Sequence, residues 1–349
     1  MPIIDQYLRT MLEQDGSDLH ISVGAPVKIR AGGAVQSITG EELSDDFTAQ
    51  MLQEIVSPER WQHYLETKDL DFAYEIDGLA RFRGNYLYNH WGMAAVFRQI
   101  PANILSFDDL NLPEVLKQVC EYKEGLVLVT GPTGSGKSTT LAAMIDYINT
   151  NANKHIITIE DPVEFVHPRK NSVIVHREVG IHCDSFASAL QGAMRADPDI
   201  VLVGEMRELE TIRLALSCAS MGMLVFGTLH TNNAPKTIDR IIDAFPADEQ
   251  EQIRIMLAGS LSCVVSQLLC KKVPKGRVAV HEILLKHDAL PNTIRTGKIS
   301  AIRGIIESSS KEGMCLMDNS IMDRLQNGEI TAGEAYMKAT DKERFKALV

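Results

Sequence analysis

The sequence has no long apolar run. Among its 349 residues, no apolar stretch approaches the roughly 18–20 residues that a membrane-spanning helix needs. The longest pieces, "GLVLVTG" and "MGMLVFGTL", have the length of buried strands. The first residues, "MPIIDQYLRTMLEQ", are polar every few positions, which excludes a signal peptide and predicts a short amphipathic helix. With 45% hydrophobic and 23% charged residues, the sequence is typical of a soluble globular protein long enough for two domains.

The sequence also lacks paired cysteines. Its six cysteines include no CxxC pair, whereas zinc ligands normally occur in closely spaced pairs. We therefore expect no zinc site, and we interpret the cysteines as reduced thiols that mostly fill the core. They are Cys120, Cys183, Cys218, Cys263, Cys270 and Cys315.

Basic residues are not in excess. The chain has 35 Lys and Arg against 46 Asp and Glu, a formal net charge of -11. Domains that bind nucleic acid through bulk charge are usually basic, and single-strand binders add aromatic platforms. The charge balance therefore argues against a nucleic-acid partner, although it leaves room for a local basic groove.

The order of the predicted elements divides the chain into four parts. Residues 1–98 mix helix and strand patterns and predict an α+β domain, with a hairpin turn at Asp77–Gly78. Residues 99–111 contain two prolines and little periodicity, which predicts a linker. Residues 112–287 alternate strands and helices at βαβ spacing, which predicts a parallel sheet with helices on both faces. Residues 288–349 are predicted to form a mainly helical subdomain.

A glycine-rich segment follows the first strand of the predicted parallel sheet. Residues 131–138, "GPTGSGKS", fit the phosphate-loop pattern G-x-x-x-x-G-K-[ST]. Its glycines let backbone N–H groups turn inward around phosphate oxygens, and the next helix adds its N-terminal dipole. Lys137 is expected to reach the terminal phosphates of ATP, and Ser138 to bind Mg²⁺. The predicted nucleotide-binding residues are Thr133, Gly134, Ser135, Gly136, Lys137, Ser138 and Thr139. Thr139 and Thr140 open the helix, where each either contacts a phosphate or lies on the helix surface.

Acidic side chains follow two later strands. Glu160, Asp161 and Glu164 come after "HIITI", and Glu205 follows "DIVLVG". Ligands of a parallel sheet gather at the carboxyl ends of its strands, where a phosphate-loop enzyme needs carboxylates for Mg²⁺ and for the attacking water. Gly204 occupies the place of the usual Walker-B aspartate, so we expect Glu205 to take over the acidic function. The alternatives are a helix-dipole role for Glu205 and turn or capping roles for Glu160 and Asp161. The predicted metal ligands are Ser138, Glu205, Glu160 and Asp161.

His230, in "GTLHTNN", ends a third strand of the same predicted sheet. A lone histidine is more often a structural hydrogen-bonding residue than a catalyst. Its place at the same sheet edge as the phosphate loop makes a catalytic role an equal alternative.

Four blocks stand in a fixed order: "GPTGSGKS", "ITIEDPVEFVH", "DPDIVLVGEMR" and "TLHTNNAPKTIDRIID". Together they resemble the Walker A, Asp box, Walker B and His box of the bacterial type II/IV secretion ATPase superfamily. Within it, the chain is most similar to the pilus retraction ATPases, the PilT/PilU family. The resemblance extends to "GSDLHISVGAPVKIR" near the start and "NGEITAGEAYMKATD" near the end, so it covers nearly all of the chain. Extension ATPases of the superfamily look as if they carry a CxxC module, and its absence here favours the retraction class.

This resemblance implies a PAS-like N-terminal α+β domain and a RecA-like phosphate-loop ATPase domain with a mainly helical tail. It implies a homohexamer that hydrolyses ATP with Mg²⁺ and powers retraction of type IV pili in twitching motility. It places the hexamer in the cytoplasm at the inner face of the inner membrane, peripheral to the bilayer. The implied partners are a pilus platform protein in that membrane and a second, paralogous retraction ATPase.

The resemblance also implies functions for individual residues. Glu164 corresponds to the Asp-box glutamate and Glu205 to the Walker-B glutamate. Arginines of the N-terminal region reach the phosphates in this family. The segment "GLARFRGNYLYNHWGMAAVFRQIP" (78–101), which resembles the end of the family's N-terminal domain, contains Arg81, Arg83 and Arg98. Arginine suits this function because its planar fork matches phosphate oxygens and keeps its charge. The alternative for each arginine is an ion pair on a strand surface. Arg195 and Arg207, on either side of the Walker B strand, are further candidates.

Three departures from the family pattern leave other functions open. Met223 replaces an earlier His-box histidine and Ser220 a usual glutamate. The retraction signature appears only as "ALPNTIRTGK", in which Pro291 and Thr296 do not match, and the following segment resembles that of PilU. The alternatives are an accessory or regulatory PilU-like subunit with weak ATPase activity, and another type II/IV secretion-assembly ATPase.

Overall fold

The computed structural model describes residues 1–100 and 103–348. It divides into two compact units, Met1–Asn103 with Asp161–Val166, and Ile104–Glu160 with His167–Val349. The linker predicted for residues 99–111 remains a prediction. Its positions Pro101 and Ala102 lie outside the described residues.

The first unit is built on a six-stranded antiparallel sheet in the spatial order β3-β2-β1-β6-β5-β4. Its strands are β1 (Gly16–Ser22), β2 (Lys28–Ala31), β3 (Ala34–Ser37), β4 (Asp69–Ile76), β5 (Ala80–Asn89) and β6 (Gly92–Ile100). Three helices belong to it: α1 (Ile3–Glu13), α2 (Asp45–Gln53) and α3 (Pro58–Thr67). The predicted α+β class and the hairpin turn at Asp77–Gly78, which joins β4 to β5, are confirmed.

Period-two alternation explains how this sheet buries one face. Phe82 and Tyr86 of β5 are fully buried, whereas Arg83 between them is exposed. The apolar side of α1, with Ile4, Leu8 and others, is also fully buried. One face of the sheet therefore forms the core of the unit, and the other face carries charged side chains.

The second unit is built on a seven-stranded sheet in the order β13-β12-β7-β11-β10-β8-β9. Its strands are β7 (Gly125–Thr130), β8 (His155–Glu160), β9 (Val173–Glu178), β10 (Ile200–Val203), β11 (Leu224–Leu229), β12 (Leu261–Lys271) and β13 (Arg277–Leu285). The helices within this part of the chain are α4 (Phe107–Leu110), α5 (Val115–Cys120), α6 (Lys137–Asn151), α7 (Phe186–Ala193), α8 (Leu209–Ser220), α9 (Ala234–Asp243) and α10 (Gln250–Ser260).

Six neighbouring strands of this sheet are parallel, as predicted, and only β13 is antiparallel. All residues of β7, β10 and β11 are buried. Continuous burial is typical of parallel strands, because the crossover helices cover both faces. The β12–β13 hairpin was not predicted from the residue pattern.

The C-terminal part is mainly helical, as predicted, over the described residues 288–348. Its helices are α11 (Ala289–Arg295), α12 (Ile302–Ser308), α13 (Met317–Gln326), α14 (Ala332–Lys338) and α15 (Lys342–Lys346), with single 3₁₀ turns at Ile299–Ala301 and Ser310–Glu312. No helix of the described ranges is both long and apolar enough to cross a membrane.

Candidate nucleotide site

The predicted phosphate loop joins β7 to α6, as its motif requires. Gly131 has φ 145° and Gly136 has φ 88°, backbone conformations that glycine adopts readily. A Cβ at Gly131 would lie 2.3 Å from the backbone oxygen of Gln267 on β12. The loop therefore depends on glycine at this position because it passes directly over a neighbouring strand.

The ammonium group of Lys137 points back into the loop. Its Nζ donates to the carbonyl oxygens of Gly131, at 2.9 Å, and Pro132, at 3.2 Å. Lysine at the start of α6 thus already lies on the side of the helix that faces the loop, where the phosphates of a nucleotide bind in such motifs.

The two threonines after Ser138 have different surroundings. The Thr140 side chain is buried, and its Oγ1 donates to Oε1 of Gln267 at 2.8 Å. Thr139 is half-buried. Thr140 therefore does not lie on the helix surface, and Thr139 remains the predicted phosphate contact.

Glu205 and His230 come together at the carboxyl ends of two adjacent strands. β10 and β11 are parallel and paired, and each of these residues follows its strand within two positions. Nε2 of His230 lies 2.7 Å from Oε1 of Glu205. Arg207 donates from Nε to the same oxygen. A carboxylate is thus held by two nitrogen donors at the edge of the sheet that also carries the phosphate loop.

Gly204 cannot hold a side chain without movement of its neighbours. A Cβ there would lie 3.2 Å from the Ile159 carbonyl oxygen and 3.3 Å from the Glu160 Cα. The close approach of β8 explains in steric terms why the usual aspartate is absent and why the carboxylate stands one residue later.

The residues of the predicted Asp box fall into both units. Glu160 ends β8, next to β10 in the sheet of the second unit. Asp161 and Glu164 belong to the segment Asp161–Val166 of the first unit. Asp161 is exposed and Glu164 half-buried. Their predicted functions remain predictions.

The three arginines predicted to contact phosphates share one face of the first unit's sheet. Arg83 on β5 lies directly opposite Arg98 on β6, and Arg81 stands two residues before Arg83 on the same face. The side chains of Arg83 and Arg98 are 44% and 67% exposed. Adjacent strands therefore place three guanidinium groups side by side on the charged face.

Each of these arginines pairs with a carboxylate of the same sheet. The pairs are Arg81–Glu75 at 2.9 Å, Arg83–Asp71 at 3.7 Å and Arg98–Asp18 at 2.8 Å. Burial opposes ionisation of Asp18, but its hydrogen bond with Ser17 and the Arg98 guanidinium hold its pKa below the usual value. Arg81 also donates to the Val163 carbonyl oxygen at 3.1 Å. The ion-pair alternative and the phosphate function are both compatible with these contacts, because Arg83 and Arg98 remain exposed within their pairs.

Arg195 and Arg207 lie at opposite ends of β10. Arg195 precedes the strand, whereas Arg207 follows it and contacts Glu205. Ligands of parallel sheets bind at the carboxyl ends of the strands. The strand topology therefore favours Arg207 and disfavours Arg195 as a phosphate contact.

The oxygen ligands at this edge fit Mg²⁺. In the described part of the chain, no group of three or more His, Cys, Asp and Glu side chains is placed to hold a metal ion. Mg²⁺ does not need such a cage, because it usually binds one or two protein oxygens, substrate phosphates and several waters. Ser138 in the first turn of α6 and Glu205 after β10 remain the predicted ligands of this kind, with Glu160 and Asp161 as further predicted contributors.

Sequence reasoning missed Gln267, which lies beneath the phosphate loop. It is buried on β12, and its side chain contacts both the loop and the first turn of α6. Its signal was the dipeptide Ser266–Gln267 within the otherwise apolar run "CVVSQLLC" of β12, since buried polar side chains require partners.

Comparisons of the sequence and of the structure with known proteins point to the same family. Residues 1–335 match the family model described as type II/IV secretion system protein. The chain is 46% identical over 342 residues to the protein named type IV pilus retractation ATPase PilT of Pseudomonas aeruginosa, covering 98% of this chain and 99% of that protein. It is 36% identical over 346 residues to the type IV pilus ATPase PilU of the same species, covering 99% and 91%. A crystal structure of the pilus retraction motor PilT with bound ADP superposes with a TM-score of 0.90, at 40% identity and 99% coverage of both chains.

Proposed function

The chain belongs to the type II/IV secretion system protein family, and on this premise we propose that it is an ATP-hydrolysing motor for type IV pilus retraction. The observation that carries the proposal is the Glu205–His230 pair at the sheet edge that also holds the phosphate loop. This edge combines a phosphate-binding loop with a carboxylate held in one orientation, the two elements that phosphoryl transfer to water requires.

In the proposed reaction, backbone N–H groups of residues 131–138 surround the phosphates of ATP. Lys137 exchanges its contacts with the Gly131 and Pro132 carbonyl oxygens for contacts with the terminal phosphates. In this exchange the Lys137 ammonium keeps its hydrogen bonds and gains an ion pair with phosphate, so the exchange favours the nucleotide-bound state.

Glu205 is proposed to orient the attacking water and to accept its proton. His230 and Arg207 hold one carboxylate oxygen, Oε1. The other oxygen is then available for water in a fixed direction, and orientation contributes much of such a rate enhancement. Ser138 and Glu205 would hold Mg²⁺, which would supply neutralisation of the charge on the phosphate oxygens.

Arg81, Arg83 and Arg98 are proposed to stabilise the charge of the phosphates. Arg83 and Arg98 stand directly opposite each other on adjacent strands, an arrangement that is unfavourable for like charges. A purely structural sheet surface has no need of this repulsion, whereas an anion on that face would relieve it. The carboxylates of Asp18 and Asp71 partly compensate for the repulsion in the absence of phosphate.

The motor is proposed to act as a homohexamer in the cytoplasm, at the inner face of the inner membrane. Its proposed partners are the pilus platform protein in that membrane and a paralogous retraction ATPase. Nucleotide exchange in the ring would drive domain rotation and thereby extract pilin subunits.

An accessory, PilU-like function is the second candidate, because the family signature is altered. Pro291 lies in the first turn of α11, a position that proline tolerates without breaking the helix. Met223 directly precedes β11, at the end opposite to His230. The helix therefore tolerates Pro291, and Met223 lies away from the sheet edge that carries His230, which supports the principal motor over the weakly hydrolysing subunit.

Deletion of the gene in its own organism tests the proposal. Excess surface pili together with loss of twitching would support retraction. Loss of pili would indicate extension, and unchanged pili and movement would contradict a pilus function. Complementation with the Glu205→Gln variant distinguishes the principal motor, which needs hydrolysis, from a subunit that works without it.

A further inference from the structure

The amide of Gln267 joins the phosphate loop to the first turn of α6. Its Nε2 donates to the Ser135 carbonyl oxygen at 2.6 Å, and its Oε1 accepts from Thr140 Oγ1 at 2.8 Å. The residue is buried, with 2% of its surface exposed. We propose that Gln267 is a positioning residue that sets the phosphate loop in its binding conformation before the nucleotide arrives. This inference rests on the proposed ATPase function and extends it to a residue of strand β12.

The bond to Ser135 fixes a direction of the loop backbone. In a trans peptide the C=O of one residue and the N–H of the next point in opposite directions. The Ser135 carbonyl points down to Gln267, so the N–H of Gly136 points away from Gln267. Inward-turned N–H groups of this kind form the concave surface that binds phosphate. Gln267 thus orients a backbone N–H group that donates a hydrogen bond to phosphate, although Gln267 does not contact phosphate itself.

The Ser135 carbonyl determines which way the amide of Gln267 points, and His281 contacts the same amide. Nε2 of His281 lies 3.2 Å from Oε1 of Gln267. Because Oε1 only accepts, Nε2 carries the hydrogen, and the imidazole is a donor. A rotated amide would place its oxygen against the Ser135 carbonyl oxygen, which only accepts hydrogen bonds, and that contact would be repulsive. The observed orientation is therefore the favourable one, and the Nε2–H of His281 matches it.

The glycines of the loop are complementary to Gln267. A Cβ at Gly131 would lie 2.3 Å from the Gln267 backbone oxygen, and a Cβ at Gly136 would lie 2.8 Å from its Nε2. Both ends of the glycine-rich segment therefore pack directly on this one residue. A loop held in this way does not have to be ordered on binding, and such preorganisation increases affinity.

The variant Gln267→Met tests the inference, because methionine has a similar shape and makes neither hydrogen bond. The matched control is Ser266→Ala at the preceding position. Ser266 shares a buried 2.8 Å hydrogen bond with Thr130, so the control also loses a buried bond of β12. The measurements are the dissociation constant of ATP, kcat, KM and the melting temperature of the full chain.

We expect Gln267→Met to weaken ATP binding about tenfold to thirtyfold, the effect of two net hydrogen bonds. KM should rise more than kcat falls, because the loop positions the nucleotide while Glu205 remains in place. Ser266→Ala should bind ATP like the wild type even if its melting temperature falls equally. Wild-type affinity of Gln267→Met, or equal losses of affinity in both variants, would overturn the inference.

Thr140→Val provides a second route if Gln267→Met does not fold. It keeps the shape of the side chain and removes only its bond to Gln267, so we expect a smaller loss of ATP affinity, roughly threefold to fivefold. No loss would contradict the inference. The failure of the proposed function is distinguishable, since wild-type protein that neither binds nor hydrolyses ATP would refute the ATPase itself.

Discussion

Nε2 of His230 lies 2.7 Å from Oε1 of Glu205, although 25 positions separate them in the chain. An ionised carboxylate only accepts hydrogen bonds, so the ring nitrogen is the donor. The contact exists because β10 and β11 are adjacent and parallel and each residue follows its strand within two positions. A single donor from the neighbouring strand thereby restricts the rotation of the carboxylate.

This relationship predicts the effect of Glu205→Gln. Glutamine keeps the acceptor oxygen for His230 but loses the charge and the capacity to accept a proton. We expect kcat for ATP hydrolysis to fall by about 10²–10⁴, the usual contribution of a general base, while ATP still binds. Steady-state phosphate release and equilibrium ATP binding measure the two effects. Glu210→Gln, in the first turn of α8, is the control and should retain the rate. Equal turnover of Glu205→Gln and wild type would exclude Glu205 as the base.

Lys137→Ala is expected to weaken ATP binding at least about tenfold, since hydrogen bonds to charged groups contribute about 1.5–3 kcal/mol. Titration of a fluorescent ATP analogue measures the change. Lys154→Ala serves as the matched control, because Lys154 forms a 2.9 Å surface pair with Asp199 at the amino end of β8. It should bind ATP normally. Equal losses in both variants would mean a non-specific effect of lysine removal.

Gly204→Ala should destabilise the second unit. The new Cβ would lie 3.2 Å from the Ile159 carbonyl oxygen, so β8 and β10 must move apart slightly. We expect a loss of about 1–3 kcal/mol in the free energy of unfolding, as for other overpacked sites. Urea denaturation measures it. The control Gly259→Ala lies in α10 and meets no atom within 4 Å, so it should leave stability unchanged or raise it. A neutral Gly204→Ala would show that the strands accommodate a side chain.

The loop and the strand ends of this site could be predicted because they depend on local spacing. The motif of residues 131–138 specifies a strand before it and a helix after it, and alternation of strands and helices implies one common edge for Glu205 and His230. Gln267 could not be predicted, because its position relative to the loop depends on β12 pairing with β7 after a break of more than a hundred residues. The Arg83–Arg98 juxtaposition likewise depends on the register of β5 and β6, which the alternation of residue types leaves open.

The stability of the second unit should fall as pH falls from about 6.5 to 4, in part because of His167. Its burial, with the neighbouring His176, lowers the pKa of His167 to about 4. Its pKa in the unfolded chain is about 6.5, so between these values the unfolded state binds more protons than the folded state. The full contribution to stability is therefore present above pH 6.5. Below that pH, the free energy of unfolding declines by about 1.4 kcal/mol per pH unit for each such histidine. His281, whose pKa burial also lowers to about 4, adds a second contribution of the same sign.

The variant His167→Phe tests this prediction. It keeps a flat ring against His176, which stacks on His167 with ring centroids 5.8 Å apart, but it removes one titrating group. We expect it to reduce the slope of unfolding free energy between pH 6 and 4.5 by about 1.4 kcal/mol per pH unit, measured by urea denaturation at half-unit intervals. Above pH 7 the two proteins should show parallel dependences, which serves as the internal control. An unchanged slope in the acidic range would mean that His167 takes up its proton in the folded state as readily as in the unfolded chain.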